Sequence, residues 1–215
     1  LCLQSQIKKV DSLIQVLSKH KKEDTSKVIL LNELSDLYAV IDIYKTLYYA
    51  EEAKTLSEKL GYTRGTANSY LNYGMYHWKT ADYKNSLLKI DSSLLLFEQL
   101  NDKKGISAGY RIKGNVYSNL GNYSIGIDFQ SQSQAISEKI SDYKGIAACL
   151  NNIGILYYEL EDYETAKKYY FESMDVRKNL MKDGDLSYTY NNIALIHERQ
   201  NNFDSAHVYY DKCIG

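Results

Sequence analysis

Over the first twenty positions a stripe of apolar residues runs through Leu3, Ile7, Val10, Leu13, Ile14 and Leu17. Spacings of three and four place them on one face of a helix. Lys19-His20-Lys21-Lys22 closes that helix, where positive charge complements the helix dipole. Glu23 and Asp24 follow at once, so this run reads as a solvated helix end rather than a phosphate-binding patch. Asp24-Thr25-Ser26 then offers capping oxygens to a second helix carrying Ile29, Leu30, Leu34 and Leu37. The same periodicity predicts helices at about 3–20, 26–39, 43–60, 65–79, 83–100, 105–119, 123–140, 145–160, 163–181, 186–200 and 203–214.

From the second helix onward the positions repeat every 40 residues. Gly65, Gly105 and Gly145 open successive units, with Asp185 in register and Gly184 one place early. Gly74, Gly114, Gly154 and Ala194 form a small-residue rung, and Asn32, Asn72, Asn152 and Asn192 another that Ile112 interrupts. His77, Tyr117, Tyr157 and His197 share a rung, as do Asp82, Asn122, Asp162 and Asn202. Tyr83, Tyr123, Tyr163 and Phe203 open each second helix, followed by Ser86, Gly126, Ala166 and Ala206, then Ser93, Ser133, Ser173 and Cys213. Small residues at 74, 114, 154 and 194 let paired helices approach closely, and the slots at 86, 126, 166 and 206 admit side chains of the neighbouring unit. One helix pair cannot bury its apolar surface alone, so stacking supplies the core.

Composition sharpens this in two places. The chain has 215 residues with no proline and 22 tyrosines. Absence of proline suits uninterrupted helices, and tyrosine suits half-exposed layers between them. A net charge of −1 gives little attraction to nucleic acid or an anionic membrane. No apolar run reaches the length of about 18 residues that spans a bilayer.

Candidate chemistry is sparse. Cys2, Cys149 and Cys213 are far apart and read as neither a disulfide framework nor a metal site, and no cofactor is expected. His77 and His197 stand where Tyr117 and Tyr157 stand, which marks them as packing positions. Gly109 to Gly114 lies inside a helix, not after a strand, so it is no phosphate loop. Glu51-Glu52 and Glu161-Asp162 are exposed pairs without acid–base context. The pattern favours a binding module over an enzyme.

The rungs resemble the tetratricopeptide repeat, most closely in LNNIGILYYELEDYETAKKYY at 150–170, with Gly154, Tyr157, Tyr163, Ala166 and Tyr170 in the family's signature positions. The resemblance covers about residues 26–215. It implies an all-α fold, a right-handed α-α superhelical solenoid. An N-terminal helix or cap over 1–25 would precede five repeats at 26–64, 65–104, 105–144, 145–184 and 185–215. The unit departs from the common one of about 34 residues and lacks its terminal proline. YAEEAKTLSEKLGY and the stretch from Asp142 look most like repeat arrays of bacterial sensor kinases, nucleotide cyclases and transcription regulators. That likeness implies a sensory or scaffold part of a larger signalling protein; in many such proteins the array lies outside the cytoplasmic membrane, and the residues themselves leave the compartment open between that and the cytoplasm. The last repeat has no polar capping helix after it, so the sequence is expected to be a fragment.

In such arrays the first helices line a groove. Carried onto this register, the candidates are Trp78, Arg111, Asn115, Asn119, Asn151, Tyr158, Glu159, Asn191, Glu198 and Arg199, with Leu71, Met75, Ile155 and Leu195 beside them. Asparagine amides can hold a peptide backbone, Arg111 can fork onto a carboxylate, and Trp78 and Tyr158 can anchor apolar groups. The expected partner is a protein or peptide. The alternative is self-association into a homo-dimer that positions an output domain. Nucleic acid and membrane contact are not expected. Asn152 and Asn192 are expected to bridge helices instead.

Overall fold

The computed structural model describes residues 2–181 and 186–214. The expected rung at Gly184 and Asp185 lies outside them, as does the side chain of Leu3. Among the described residues there are eleven helices and no strand. They are α1 (Cys2–Lys19), α2 (Thr25–Ile41), α3 (Ile43–Lys59), α4 (Thr63–Lys79), α5 (Tyr83–Gln99), α6 (Lys103–Asn119), α7 (Tyr123–Lys139), α8 (Tyr143–Glu159), α9 (Tyr163–Leu180), α10 (Ser187–Arg199) and α11 (Phe203–Ile214). Every expected helix is present, although α4, α6 and α8 begin two residues before the glycine rung that was expected to open them. The reason lies in the turns.

Those turns recur every 20 residues from 61 to 161 and again at 201, twice as often as the side-chain pattern, while Met181 at the end of α9 is extended. Gly61, Ala81, Asn101, Gly121, Ser141, Glu161 and Asn201 all hold left-handed φ between 54° and 74°. At each one the next residue's N–H reaches back five places, as in Tyr62 N to Ser57 O at 2.8 Å and Asp82 N to His77 O at 2.8 Å. This closure satisfies carbonyls left over at the helix end. The residue after the turn then opens the next helix. Asp82, Asp102, Asp142, Asp162 and Asn202 accept the backbone N–H three residues on, at 3.1 to 3.3 Å. One residue therefore closes one helix and starts another, which puts the starts of α6 and α8 at 103 and 143. Asp42 does both jobs between α2 and α3 with extended backbone.

The chain divides into two compact units, the first ending at Ile112 and the second beginning at Lys113. In the first, α1 lays Val10 against Leu34 and Tyr38, with Leu13 and Leu17 beside them. Val28, Leu31, Ala53 and Leu56 form the next cluster. A β-carbon on Gly74 would come 2.5 Å from Ile90, so the small residue of α4 is the seat for the large residue of α5. The register places Leu34 and Ala50 in these two roles with their sizes exchanged, and both are fully buried.

In the second unit the same seat recurs. Gly114 receives Gln130 and Gly154 receives Tyr170. Tyr170 also closes on Ala166, Ile193 and Ile196, the contact across successive pairs. Gly126 lies against Leu156 of the following pair, as the small slots require. Parallel ring stacks mark one more rung: Tyr117 on Phe129, Tyr157 on Tyr169 and His197 on Tyr209, with centroids 5.4 to 5.5 Å apart. The serine rung has a specific task. Ser93 donates to Ala67 O and Ser173 to Ala147 O, both at 2.8 Å, and Cys213 repeats the bond with Ser187 O at 3.3 Å.

Candidate ligand-binding face

In the first unit Trp78 is half-buried near the end of α4. Its indole N–H is shielded from solvent without a partner, and Lys79 Nζ stands 4.9 Å from the ring centroid. That ammonium over an aromatic face is a favourable contact of its own. Arg111 is half-buried on α6. Asparagine packing is also visible in this unit. Asn72 Nδ2 donates to Asn32 O at 3.1 Å, while Asn32 Nδ2 donates to Gly65 O at 3.2 Å.

The other eight candidates belong to the second unit, and there the asparagines divide. Asn151 was expected to face a groove; it is instead 3% exposed, and its Oδ1 accepts Asn192 Nδ2 at 3.2 Å. Its amide is committed to joining α8 and α10, because a buried amide left unpaired would cost about 1–3 kcal/mol. Asn115 is half-buried and its Oδ1 takes two donors, Gln130 Nε2 at 2.8 Å and Asn152 Nδ2 at 3.0 Å. Asn152 and Asn192 bridge helices as expected. Ile112 supplies no amide in the rung before Asn152, and Asn115 with Gln130 meets that need.

Towards the C-terminal ends of α8 and α10, Glu159, Glu198 and Arg199 are exposed and Tyr158 is half-buried. Arg199 Nε donates to Tyr158 Oη at 2.9 Å, linking two successive first helices. The same hydrogen bond raises the affinity of this guanidinium for its proton still further. Glu198 accepts Tyr210 Oη at 2.8 Å, which turns that carboxylate towards α11. Glu159 is exposed, Asn191 half-buried, and Asn119 exposed at the end of α6. Ile155 and Leu195 are half-buried on the same helices. The structure thus brings Tyr158 to Arg199 and ties Asn151 and Asn115 into contacts between helices, while Asn119 stays exposed and Asn191 half-buried.

Two participants escaped the sequence reading: Gln130, which completes the Asn115–Asn152 network, and Tyr210, the partner of Glu198. Both lie on one rung, with Ile90 and Tyr170, and a polar residue among apolar ones was the available signal for Gln130. Among the described residues no group of three or more His, Cys, Asp or Glu could hold a metal ion, and no helix is long and apolar enough to cross a membrane.

Residues 106–179 and 186–214 each match a family model described as tetratricopeptide repeat. The chain is a tetratricopeptide-repeat array. No curated protein matches its sequence. Solved structures do match its fold. BtubC (BKLC) from P. vanneervenii superposes with a TM-score of 0.69 at 16% identity, over 99% of this chain and 90% of that one. A Rap protein complexed with competence and sporulation factor gives 0.75 at 16% identity, over 99% and 70%. NprR in complex with its cognate peptide NprX gives 0.74 at 19%, over 99% and 61%. At such identities the likeness is one of fold.

Proposed function

We propose that this tetratricopeptide array is a non-catalytic module that binds a peptide or an extended protein segment along its first helices, as the sensory or scaffold part of a signalling protein. The observation that carries this reading is the Tyr158–Arg199 bridge. It is a polar pair spanning two first helices, with Arg199 exposed and Tyr158 half-buried at the edge of the core. Half-buried Ile155 and Leu195 beside it offer apolar contact, and the unused nitrogens of Arg199 offer charge-assisted hydrogen bonds. The peptide-bound NprR and factor-bound Rap structures support the ligand class. Selection from a displayed library of random twelve-residue peptides tests it. Binders should lose affinity at least tenfold with Arg199→Ala or Tyr158→Ala and keep it with Leu88→Ser. Binders indifferent to both inner-face changes would sink the reading.

Self-association is the second reading, and a specific feature favours it. Leu88 and Leu95 are each 58% exposed and stand seven residues apart on one face of α5. Light scattering across a concentration series decides, with Leu88→Ser/Leu95→Ser as the control that should abolish any dimer.

A further inference from the structure

His77 and His197 occupy the same rung, end equivalent helices, and precede the same backbone turn. Asp82 N returns to His77 O, and Asn202 N to His197 O, both at 2.8 Å. Their surroundings differ in chemistry. Asp82 caps α5 through Oδ1 and presents Oδ2 to His77 Nδ1 at 3.1 Å. Asn202 caps α11 through Oδ1 in the same way, but its other limb is an amide nitrogen, which donates and cannot accept. His197 Nδ1 is buried and has no partner.

The ring of His197 takes the stacking slot of Tyr117 and Tyr157, lying 5.4 Å from Tyr209 at an interplanar angle of 12°. Two charges of α9 act on it: Lys167, which opposes protonation, and Glu164, which favours it. These two are themselves paired at 2.6 Å, which blunts the carboxylate's help. From α11, Lys212 Nζ already stands 4.7 Å from the Tyr209 centroid, so that ring's attraction for a cation is in use. From α8, Tyr157 and Tyr158 border the same core.

We propose that the α10–α11 pair is an acid-released element: protonation of His197 puts a cation with no acceptor between Lys167 and the Lys212–Tyr209 contact and loosens the pair, while the α4–α5 pair, where Asp82 answers His77, holds. Burial first, and Lys167 second, push the His197 imidazole below the ordinary histidine range. A group with a depressed folded value stabilises fully above its unfolded value of about 6.5, and that contribution is lost as pH falls towards and below the folded one. The window therefore opens at mildly acidic pH, above the range in which carboxylate caps titrate. Asn191, Leu195 and Arg199 ride on α10, so release would carry them along.

Amide hydrogen exchange on the full chain at pH 7.5 and 5.5, converted to protection factors, tests this. Protection at Ile193 and Ile196 should fall severalfold at the lower pH, while protection at Gly74 stays level. His197→Tyr, which restores the residue type of Tyr117 and Tyr157, should remove the response. Asn202→Asp, which installs the carboxylate of the α4–α5 turn, should also remove it with the histidine retained. Unchanged protection of α10 in the wild type, or an undiminished fall in Asn202→Asp, would overturn the proposal.

Discussion

A β-carbon on Gly154 would lie 2.5 Å from Cε1 of Tyr170 and 2.6 Å from its Cδ1, so each residue fixes what the other can be. Tyr170 is 2% exposed and walled by Ala166, Ile193 and Ile196, which leaves the ring nowhere to retreat. Alanine would gain about 1 kcal/mol in helix propensity over glycine, yet overpacking costs about 1–3 kcal/mol. Gly154→Ala should therefore lower the thermal midpoint, by about 2–4 °C for each net 1 kcal/mol. Adding Tyr170→Leu should cost less than the two single changes summed. The final repeat shows why the neighbourhood matters: Ala194 stands in the glycine's place there, and Tyr210 opposite it is only half-buried.

Ala81 holds φ of 60° at a turn where Gly61 and Gly121 sit in register. Left-handed backbone costs an L-residue about 1–2 kcal/mol, and the extra freedom glycine gives the unfolded chain offsets about 0.4–1 kcal/mol of any relief. Ala81→Gly should therefore raise stability by about 0.5–1 kcal/mol. Denaturant unfolding with an unchanged slope would show it; a loss of stability would mean the turn is not strained.

Asn192→Ala removes the donor to a buried Asn151 Oδ1 and should cost about 1–3 kcal/mol. Asn151→Ala with Asn192→Ala leaves neither group stranded and should cost less than the sum. A double-mutant cycle measures the difference.

Tyr158→Phe deletes the acceptor for Arg199 Nε at an exposed site. Stability should change by less than about 0.5 kcal/mol, while selected peptides bind more weakly. Thermal unfolding beside a binding titration separates these effects. A large loss of stability would assign the pair to packing.

Acid should act a second time, at lower pH. Backbone N–H donation from Lys27 lowers the Asp24 carboxyl, and the Asn85 side chain lowers that of Asp82. Carboxylates with depressed folded values stabilise above their unfolded value of about 3.9, and that contribution is lost as pH falls through the folded one. Helix starts at α2 and α5 should fray only there, and Asp24→Asn should make α2 less sensitive to it. Circular dichroism between pH 5 and 2 records the transition.

The repeating fold was legible because its steric needs fall on fixed residue types: glycine or alanine at 74, 114, 154 and 194, and bulk at 90, 130, 170 and 210. The candidate binding face was less so. Adjacent helix residues point about 100° apart, so the doublets Asn151-Asn152 and Asn191-Asn192 do not announce which amide turns inward. The observed partners differ by 37, 40 and 41 positions in Asn115–Asn152, Asn32–Asn72 and Asn151–Asn192. A strict 40-residue register therefore marks the layer but not the pair. Tyr158 with Arg199 and Glu198 with Tyr210 escaped for a related reason, since long exposed side chains choose partners by reach rather than by register.

The 20-residue recurrence of the turns has a further consequence. Between Gly61 and Glu161, excising one helix with its turn would keep the remaining closures of that stretch intact. It would nonetheless hand each later helix the other partner's role, seating Tyr170-type bulk where Gly154-type clearance is needed. The backbone counts in ones and the side chains in twos. Such an array can be lengthened by duplication or shortened by deletion only in whole pairs, and an odd step would leave a chain that turns correctly and cannot pack.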